Sequence, residues 1–524
     1  MNKDSYSTIW EKFTENAEKF PKRKVFSKVT FSPEVGFEDE MTFKELKKAS
    51  KSVAHSLNAH NLKQEDRVII IGKPSSNWMK AFLGAVKIGA SVTPLSCSLS
   101  ISVLDKIIER VKPKAMFYNK NDLTSDKIDW LKEKVDVNIS FETVSNLDFA
   151  KPKSPTVKSK ELIAAAILTS GTTSDPKVVA LSHANFSSNI RATIEKVPIT
   201  ETDIFFSIGS WNHVFPFTTT LLAPLYTGSC VVYCSRKSGK SLKMAARHTK
   251  PTLFFGVPKF YRLVYRKIIK SKVASFLLNC KIPKASKIIG KKLIRGFGGN
   301  IRFFFSGAAP LSGEVLDFFE KINVQLLEGY GMSETSPVIS ANSLHAKKKR
   351  SAGRVLSNIS YEVRDKNKKG IGELVVRGPS LFKGYLTEEG IDADIVDEDG
   401  FFHTKDLVFV DEDDFLFIMG RKGSRITLSS GENVYPEQLQ IKLGTIKEIE
   451  NILILPEKKG DKIIIKALIH PVEEGEDIKR MIKRKIKEKM STEPHYLKIH
   501  KTEFQSEGFV ETETGKIKVK HYKN

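Results

Sequence analysis

The sequence predicts an α/β protein with a large N-terminal layered α/β domain, a β-rich subdomain within it and a small α+β C-terminal domain. Three observations support this prediction. Strand-like runs alternate with helical patterns in the first half, short strands dominate after about residue 353, and a new mixed pattern begins beyond Arg421. Strands that alternate with helices are typical of parallel, layered sheets.

Hydrophobic periodicity identifies the individual elements of each region. Strands are predicted at 68–71, 90–95, 164–168, 372–377, 415–419, 452–455 and 463–469. A helix is predicted at 78–87 between the first two strands. The segment 478–490 repeats apolar residues at helical spacing among many lysines, which predicts a basic amphipathic helix.

Length and composition indicate a cytoplasmic globular protein. The chain has 524 residues and four cysteines, which show no metal-ligand spacing: Cys97, Cys230, Cys234 and Cys280. The first residues are polar, so we expect no secretory signal. No apolar run reaches the roughly 18 residues that a membrane-spanning helix requires.

The net charge of +24 is unevenly distributed. Residues 204–313 contain no Asp or Glu but 19 Lys and Arg, of which 13 lie in 259–302. Such a run could be an ordinary solvated face, or a surface that meets anionic lipid or a polyanionic substrate. Nucleic acid is a third partner class, but no zinc-finger spacing or RNP-type motif supports it, and we expect none.

The strongest motif is Leu168-Thr-Ser-Gly-Thr-Thr-Ser-Asp-Pro-Lys177, which follows a predicted buried strand. Backbone N–H groups and hydroxyls in such a loop can bind phosphate oxygens, and the lysine adds a positive charge. The spacing is not that of the Walker loop. The candidate phosphate ligands are Thr169, Ser170, Gly171, Thr172, Thr173 and Lys177.

This string resembles the phosphate loop of the adenylate-forming superfamily, which includes acyl-CoA synthetases, luciferases and the adenylation domains of peptide synthetases. Ser174 and Val178 stand where the family pattern has Gly. The resemblance extends over nearly the whole chain, with five motifs in the family's order, and is greatest to long-chain fatty acyl-CoA synthetases. It implies ATP, Mg²⁺ and, as a substrate, coenzyme A.

A second motif, Glu328-Gly-Tyr-Gly-Met-Ser-Glu-Thr335, resembles the family's nucleotide segment. The resemblance implies that Tyr330 stacks near the adenine, that Ser333 contacts the α-phosphate and that Glu334 binds Mg²⁺, with Thr169 as a further metal ligand. A carboxylate beside phosphates suits this hard ion. The remaining implied nucleotide-binding residues are Gly307, Ala308, Ala309, Gly329, Gly331 and Met332.

The segment Phe402-His-Thr-Lys-Asp406 and the later Gly420-Arg421 resemble the family's ribose-binding motif. By this resemblance Asp406 accepts hydrogen bonds from the ribose hydroxyls and Arg421 holds the ribose or phosphate. Lys405 replaces a family glycine. The resemblance also divides the chain into an N-terminal AMP-binding domain, 1–420, and a mobile C-terminal domain, 421–524, with a hinge near 421–424.

Two further catalytic residues are implied, Lys516 and His213. Lys516 lies in Thr512-Glu-Thr-Gly-Lys516, which resembles the family's last motif and would hold the carboxylate and α-phosphate. His213 lies in a segment similar to one beside the family's acyl pocket. Its neighbours Trp211, Phe215 and Phe217 could line an acyl tunnel or pack in the core. Gly431 would line the passage for the pantetheine arm.

The implied activity is ATP-dependent activation of a carboxylic acid, expected to be a long-chain fatty acid, to acyl-AMP, followed by thioester formation with coenzyme A. Catalysis would involve Lys516, His213 and Glu334. Two alternatives remain open: a catalytically weak or inactive membrane-associated member, or adenylation of an aryl or short acid with transfer to another thiol. The basic run 259–302 predicts peripheral contact with an anionic membrane.

Overall fold

The computed structural model describes residues 7–31, 35–149, 153–169, 176–279, 285–429, 432–460, 462–511 and 517–522. Within them the helices are α1 (Ile9–Lys19), α2 (Phe43–Ala59), α3 (Ser76–Lys87), α4 (Ile101–Val111), α5 (Ser125–Lys134), α6 (Phe141–Asn146), α7 (His183–Lys196), α8 (Val214–Pro216), α9 (Ala223–Thr227), α10 (Gly239–Thr249), α11 (Pro258–Ile269), α12 (Lys272–Asn279), α13 (Ala285–Gly296), α14 (Gly313–Lys321), α15 (Pro436–Leu443) and α16 (Glu476–Lys489).

The strands of these residues are β1 (Lys24–Phe31), β2 (Val35–Thr42), β3 (Arg67–Ile71), β4 (Ser91–Leu95), β5 (Ala115–Tyr118), β6 (Val137–Ser140), β7 (Ile163–Leu168), β8 (Val178–Ser182), β9 (Ile204–Ser207), β10 (Cys230–Tyr233), β11 (Leu253–Gly256), β12 (Phe303–Ser306), β13 (Leu326–Gly331), β14 (Val338–Ala341), β15 (Arg354–Val355), β16 (Ser360–Arg364), β17 (Gly372–Arg377), β18 (Gly384–Leu386), β19 (Ile391–Asp392), β20 (Phe402–Val410), β21 (Leu416–Arg421), β22 (Ile426–Thr427), β23 (Asn433–Val434), β24 (Ile449–Lys459), β25 (Lys462–Pro471) and β26 (Lys501–Phe504).

An eight-stranded sheet contains the predicted strand–helix–strand unit. Its order is β19-β18-β8-β7-β4-β3-β5-β6, and β7, β4, β3, β5 and β6 run parallel. β4 is buried throughout and β3 is buried except at Arg67, as expected where helices cover both faces of a parallel sheet. β7 and β8 are antiparallel, and the motif loop connects them.

A nine-stranded sheet carries most of the remaining first-half strands, in the order β15-β14-β13-β12-β11-β9-β10-β1-β2. β10, β9, β11, β12 and β13 are parallel, so their carboxyl ends meet at one edge. In α/β sheets this edge is where ligands bind. The segments that follow β11, β12 and β13 therefore begin close together.

One hydrophobic core joins the two large sheets and the helices between them. Trp78 of α3 is buried in this core, with its ring centroid 5.1 Å from that of Trp211 and 6.2 Å from that of Phe217. Both partners are almost fully buried. The structure therefore places Trp211 and Phe217 within the hydrophobic core.

Two smaller units follow the large sheets. β16, β17, β20 and β21 form the antiparallel sheet of the predicted β-rich subdomain. Beyond it, β24, β25 and β26 pack with α15 and α16 around a separate hydrophobic core that includes Ile452, Ile465 and Ile482. The predicted fold class is confirmed, since a large α/β region precedes a smaller α+β region.

Candidate active site

The ends of the predicted phosphate loop are held together by the β7–β8 hairpin. Leu168 pairs with Val178, and the Thr169 N–H donates a hydrogen bond to the Lys177 carbonyl at 2.9 Å. Val178, at a family glycine position, is a buried strand residue. Ser170, Gly171, Thr172 and Thr173 lie outside the described residues.

Lys177 and Glu334 are brought together by a residue that the sequence analysis missed. The Lys177 Nζ lies 4.1 Å from the centroid of the Tyr385 ring, and the Tyr385 hydroxyl donates to Glu334 Oε1 at 3.0 Å. Burial, reinforced by the Glu334 carboxylate, raises the pKa of Tyr385, so the phenol stays a donor. No local pattern marks Tyr385, because β18 reaches the site by pairing with β8.

The carboxylate of Glu334 is held nearly buried by a compact turn. The Thr335 hydroxyl donates to the Pro337 carbonyl at 2.6 Å, and the Phe382 N–H donates to the Glu334 carbonyl at 2.9 Å. Ser333 precedes it and is partly exposed. Within the described residues no cluster of three or more His, Cys, Asp or Glu could bind a metal. One carboxylate still fits Mg²⁺ that is bound chiefly by substrate phosphates.

Asp406 lies at the centre of a second network. The Tyr330 hydroxyl donates to Asp406 Oδ2 at 2.6 Å, and Arg421 Nε donates to Asp406 Oδ1 at 3.0 Å. The β20–β21 register places Asp406 opposite Arg421. Burial, followed by the charge of Asp406, raises the pKa of Tyr330. A buried carboxylate with spare lone pairs can accept further hydrogen bonds from a diol.

The backbone beside Asp406 explains why a glycine would suit position 405. Lys405 has φ of 60°, in the left-handed region that side chains disfavour. Its carbonyl accepts a hydrogen bond from the Lys422 N–H at 2.9 Å, which fixes the conformation. Lys405 thus keeps the geometry of the turn and adds backbone strain to it.

The segment 307–311 follows β12 at the carboxyl edge of the nine-stranded sheet. The Gly307 N–H donates to the Gly256 carbonyl at 3.2 Å, and a Cβ at Gly307 would lie 2.6 Å from the Phe215 ring. Of the three aromatic residues near His213, Phe215 is therefore the one that borders this segment in the contacts of the described residues. Ala308 adopts φ of 72° and, like Ala309, is partly exposed.

Glu328 is a further residue whose importance the sequence did not reveal. Its Oε1 accepts a hydrogen bond from the Leu311 N–H at 3.3 Å. Burial of the carboxyl raises its pKa to about 8, although the residue as a whole keeps some exposed surface. On the same strand, Gly329 and Gly331 approach other groups closely, and a Cβ at Gly331 would lie 1.8 Å from the Pro337 carbonyl oxygen.

His213 caps the segment that leads from β9 into α8. It is partly buried, and its Nε2 lies 3.4 Å from Asn212 Nδ2. Its backbone carbonyl accepts a hydrogen bond from the Phe217 N–H at 2.9 Å. This position follows a strand of the nine-stranded sheet, at the same edge as Gly307.

Two predicted residues, Gly431 and Lys516, lie outside the described residues. Glu511 and Ile517, which flank the segment with Lys516, pair with each other. At the predicted hinge, a Cβ on Gly423 would meet nothing within 4 Å. The adjacent Ser424 hydroxyl donates to the Glu437 carboxylate.

Comparison with known proteins identifies relatives. Long-chain-fatty-acid–CoA ligase ACSBG2 of Mus musculus is 26% identical over 483 residues, which cover 82% of this chain and 72% of the mouse protein. Long chain acyl-CoA synthetase 6, peroxisomal, of Arabidopsis thaliana is 28% identical over 363 residues, covering 64% of this chain and 51% of the plant protein.

Solved structures share the fold at low identity. The anthranilate CoA ligase AuaEII in complex with anthranoyl-AMP superposes with a TM-score of 0.82 at 18% identity, over 100% of this chain and 98% of that one. O-succinylbenzoate coenzyme A synthetase MenE of Bacillus subtilis, with ATP and magnesium, gives 0.78 at 20% identity, over 99% of each chain. The AMP-binding enzyme family matches residues 13–386, more than half of the chain, and this protein belongs to that family.

Proposed function

We propose that this protein uses ATP to convert a long-chain fatty acid into an acyl-adenylate and then transfers the acyl group to coenzyme A. The observation that carries the proposal is the segment 330–334, which contributes to both side-chain networks. Tyr330 contacts Asp406, and four residues later Glu334 contacts Tyr385 beside Lys177. One short segment can therefore hold the ribose and the phosphates of one nucleotide in a fixed relation.

In the first half-reaction a carboxylate oxygen of the acid attacks the α-phosphorus of ATP. The bond from that phosphorus to the bridging oxygen breaks, and pyrophosphate leaves with the bond's electron pair. Asp406 and Arg421 hold the ribose, Lys177 and the loop from Thr169 bind the triphosphate, and Ser333 contacts the α-phosphate. Lys516 stabilises the negative charge at the reacting phosphorus.

Glu334, with Thr169 as a further ligand, would hold Mg²⁺, which would neutralise part of the negative charge of the triphosphate. The Tyr385 hydroxyl orients the Glu334 carboxylate, since its raised pKa keeps it a hydrogen-bond donor at neutral pH. Support from a second residue of this kind is common at metal-binding carboxylates. Glu334 is nearly buried, which strengthens its interaction with a cation.

In the second half-reaction the sulfur of coenzyme A attacks the acyl carbonyl carbon. The bond from that carbon to the phosphate oxygen breaks, AMP leaves and the thiol proton passes to solvent. In this proposal His213 separates the nucleotide and acyl sites, and Gly431 has the role of admitting the pantetheine arm. Rotation of residues 421–524 about Gly423 converts the enzyme from the adenylation step to the thioester-forming step. Gly423 permits this rotation because a glycine with open space around it tolerates large dihedral changes.

Release of AMP across acids of graded chain length, with and without coenzyme A, tests this proposal. We expect coenzyme A-dependent AMP release that is greatest with long-chain acids. Asp406→Asn, which we expect to lower kcat/KM for ATP about 100-fold, serves as the low-activity control. Greater activity on aryl or short acids would replace the substrate class, while no release with any acid would favour an inactive member of the family.

We also propose that the protein binds anionic membranes through the outer surface of α11–α13, called here the α11–α13 patch. Four apolar side chains of this patch are exposed: Leu263 by 53%, Val273 by 69%, Phe276 by 66% and Ile288 by 55%. Seven cations surround them and are also exposed: Lys267, Lys270, Lys272, Lys287, Lys291, Lys292 and Arg295.

The composition of the patch suits a lipid surface. Within the described part of the chain no ion pair involves these seven cations, so their charge remains available. Each such residue contributes about 1 kcal/mol near an anionic leaflet. Phe276 and Val273 can enter the interface, whereas the adjacent Leu277 and Leu278 pack against the protein core. Within the described residues no helix has the length and apolarity to cross a bilayer.

Sedimentation with vesicles tests the membrane proposal. We expect recovery with phosphatidylserine-containing vesicles at low salt, little recovery with neutral vesicles, and loss of binding in Lys267→Gln/Lys270→Gln/Lys272→Gln. The matched control removes three exposed lysines of the β16–β17 turn, Lys366, Lys368 and Lys369. Equal recovery with neutral and anionic lipid, or equal loss in both triple variants, would contradict the proposal.

A further inference from the structure

Helix α11 has a second charged face that differs from the patch. Lys259, Arg262 and Arg266 are spaced by three and four residues, so they lie on one side of the helix. Arg266 has only 14% of its side chain exposed. The neighbouring Lys267 belongs to the exposed patch instead. The two faces of one helix therefore present cations in different environments.

The partners of this face belong to the small C-terminal unit. Arg266 Nη1 donates to Glu450 Oε2 at 3.0 Å, and its Nη2 donates to the Ile449 carbonyl. Ile449 and Glu450 begin β24. Burial, followed by the charge of Arg266, lowers the pKa of Arg262, and the charges of Glu450 and Glu511 oppose that shift.

The third cation connects this contact to the segment with the predicted catalytic lysine. Lys259 Nζ lies 2.9 Å from Glu511 Oε2, and Asn451 Nδ2 donates to Glu511 Oε1 at 3.0 Å. Glu511 immediately precedes residues 512–516, which contain Lys516 and lie outside the described residues. Lys259 follows β11, whose last residue, Gly256, hydrogen-bonds to Gly307 of the candidate site.

One more ion pair joins the two units. Lys489 at the end of α16 donates to Glu314 at the start of α14. α14 packs beside α11 in the large unit, so this pair lies on the same side of the molecule as the α11 contacts. Partly exposed ion pairs are individually weak. Several such pairs together can hold the two units in one relative position and still allow the units to separate.

We infer that Lys259, Arg262 and Arg266 form a clamp that positions the C-terminal unit for the adenylation step. The inference rests on the proposed function and assigns positioning residues to its first half-reaction. By holding Glu450 and Glu511, the clamp fixes where the segment with Lys516 leaves the small unit, next to the carboxyl end of β11. Transfer to coenzyme A requires rotation of that unit, so the clamp opens before the second half-reaction.

Charge reversal and charge exchange test the clamp in the full-length protein. Lys259→Glu and Glu511→Lys should each lower ATP–pyrophosphate exchange roughly fivefold, because each replaces an attraction with a repulsion. Thioester formation from supplied acyl-AMP and coenzyme A should be unchanged. The exchanged pair Lys259→Glu/Glu511→Lys should recover most of the exchange activity. Lys267→Glu, on the exposed face of the same helix, is the matched control.

A second readout does not depend on activity. Trypsin cleavage at Arg421, Lys422 or Arg425 should be faster in each single reversal and return toward the wild-type rate in the exchanged pair. Unchanged cleavage, or an equal loss in both half-reactions, would overturn the clamp. If the wild-type protein exchanges no pyrophosphate with any acid, the proposed function fails, while the cleavage rates still report whether the clamp exists.

Discussion

The candidate nucleotide site and the α11–α13 patch present charge in different ways. In the candidate nucleotide site the two carboxylates are nearly buried and have specific partners, as Asp406 has in Tyr330 and Arg421. In the patch, cations such as Lys270 and Lys291 are exposed beside exposed apolar side chains. Enclosed charges can orient one small ligand, whereas exposed charges attract an extended surface. The burial of a charged side chain and the partners it has therefore distinguish a group that orients a ligand from one that attracts a surface.

The largest effect is expected from a change in the enclosed network. Asp406→Asn should lower kcat/KM for ATP about 100-fold, because a hydrogen bond to a charged group contributes about 1.5–3 kcal/mol. Binding to anionic vesicles should be unchanged. Measuring kcat/KM and vesicle binding in this one variant shows whether the two regions act independently. An equal loss of both would indicate that the protein is misfolded.

Tyr385→Phe removes one hydrogen bond from Glu334 and should have a smaller effect. We expect about a tenfold decrease in kcat and a higher requirement for Mg²⁺, since the carboxylate loses its orienting donor. Titration of AMP release with Mg²⁺ measures this change. A variant with the wild-type Mg²⁺ dependence would contradict the assigned role of Tyr385.

The raised pKa of Glu328 should make the stability of the protein depend on pH. The folded protein holds its proton up to about pH 8, whereas the unfolded chain releases it near the ordinary value of 4.5. Unfolding therefore releases a proton between these values, and the stability contributed by this group falls as the pH rises through that window. Glu328→Gln should be more stable than wild type by about 1–2 kcal/mol at pH 8 and about equal at pH 5, as chemical denaturation can determine.

Lys405→Gly should stabilise the protein by about 1 kcal/mol at most. The change removes a left-handed strain of about 1–2 kcal/mol, and the greater freedom of glycine in the unfolded chain offsets part of the gain. Thermal unfolding measures the difference. The exposed Lys368→Gly is a suitable control, and a similar gain there would show that strain is not the cause.

The smallest effect on stability is expected in the patch. Lys287 and Lys291 are one helical turn apart on α13, where like charges repel by a few tenths of a kcal/mol. Lys287→Gln/Lys291→Gln should therefore leave the free energy of unfolding unchanged or slightly higher at low salt, and weaken vesicle binding. A marked loss of stability would mean that these lysines support the fold.

The sequence predicted the fold class, the order of the motifs and the family, because these depend on local periodicity and on short strings. The helix at 78–87 and the strands at 68–71 and 164–168 agree with α3, β3 and β7. The sequence also indicated the unusual backbone conformation at position 405, because Lys405 stands where the family pattern has a glycine. The domain boundary near 421 and the roles of the individual site residues remain predictions.

Tertiary structure decided which side chains meet. Tyr385 reaches Glu334 because β18 pairs with β8, about 200 residues earlier in the chain, and no local pattern encodes that pairing. The same holds for Trp211 and Phe217: their aromatic character fits a tunnel or a core, and it is their contacts with the buried Trp78 that place them in the core. Local sequence determines periodicity and motif strings, whereas burial and partners depend on contacts between distant segments, which the sequence does not display.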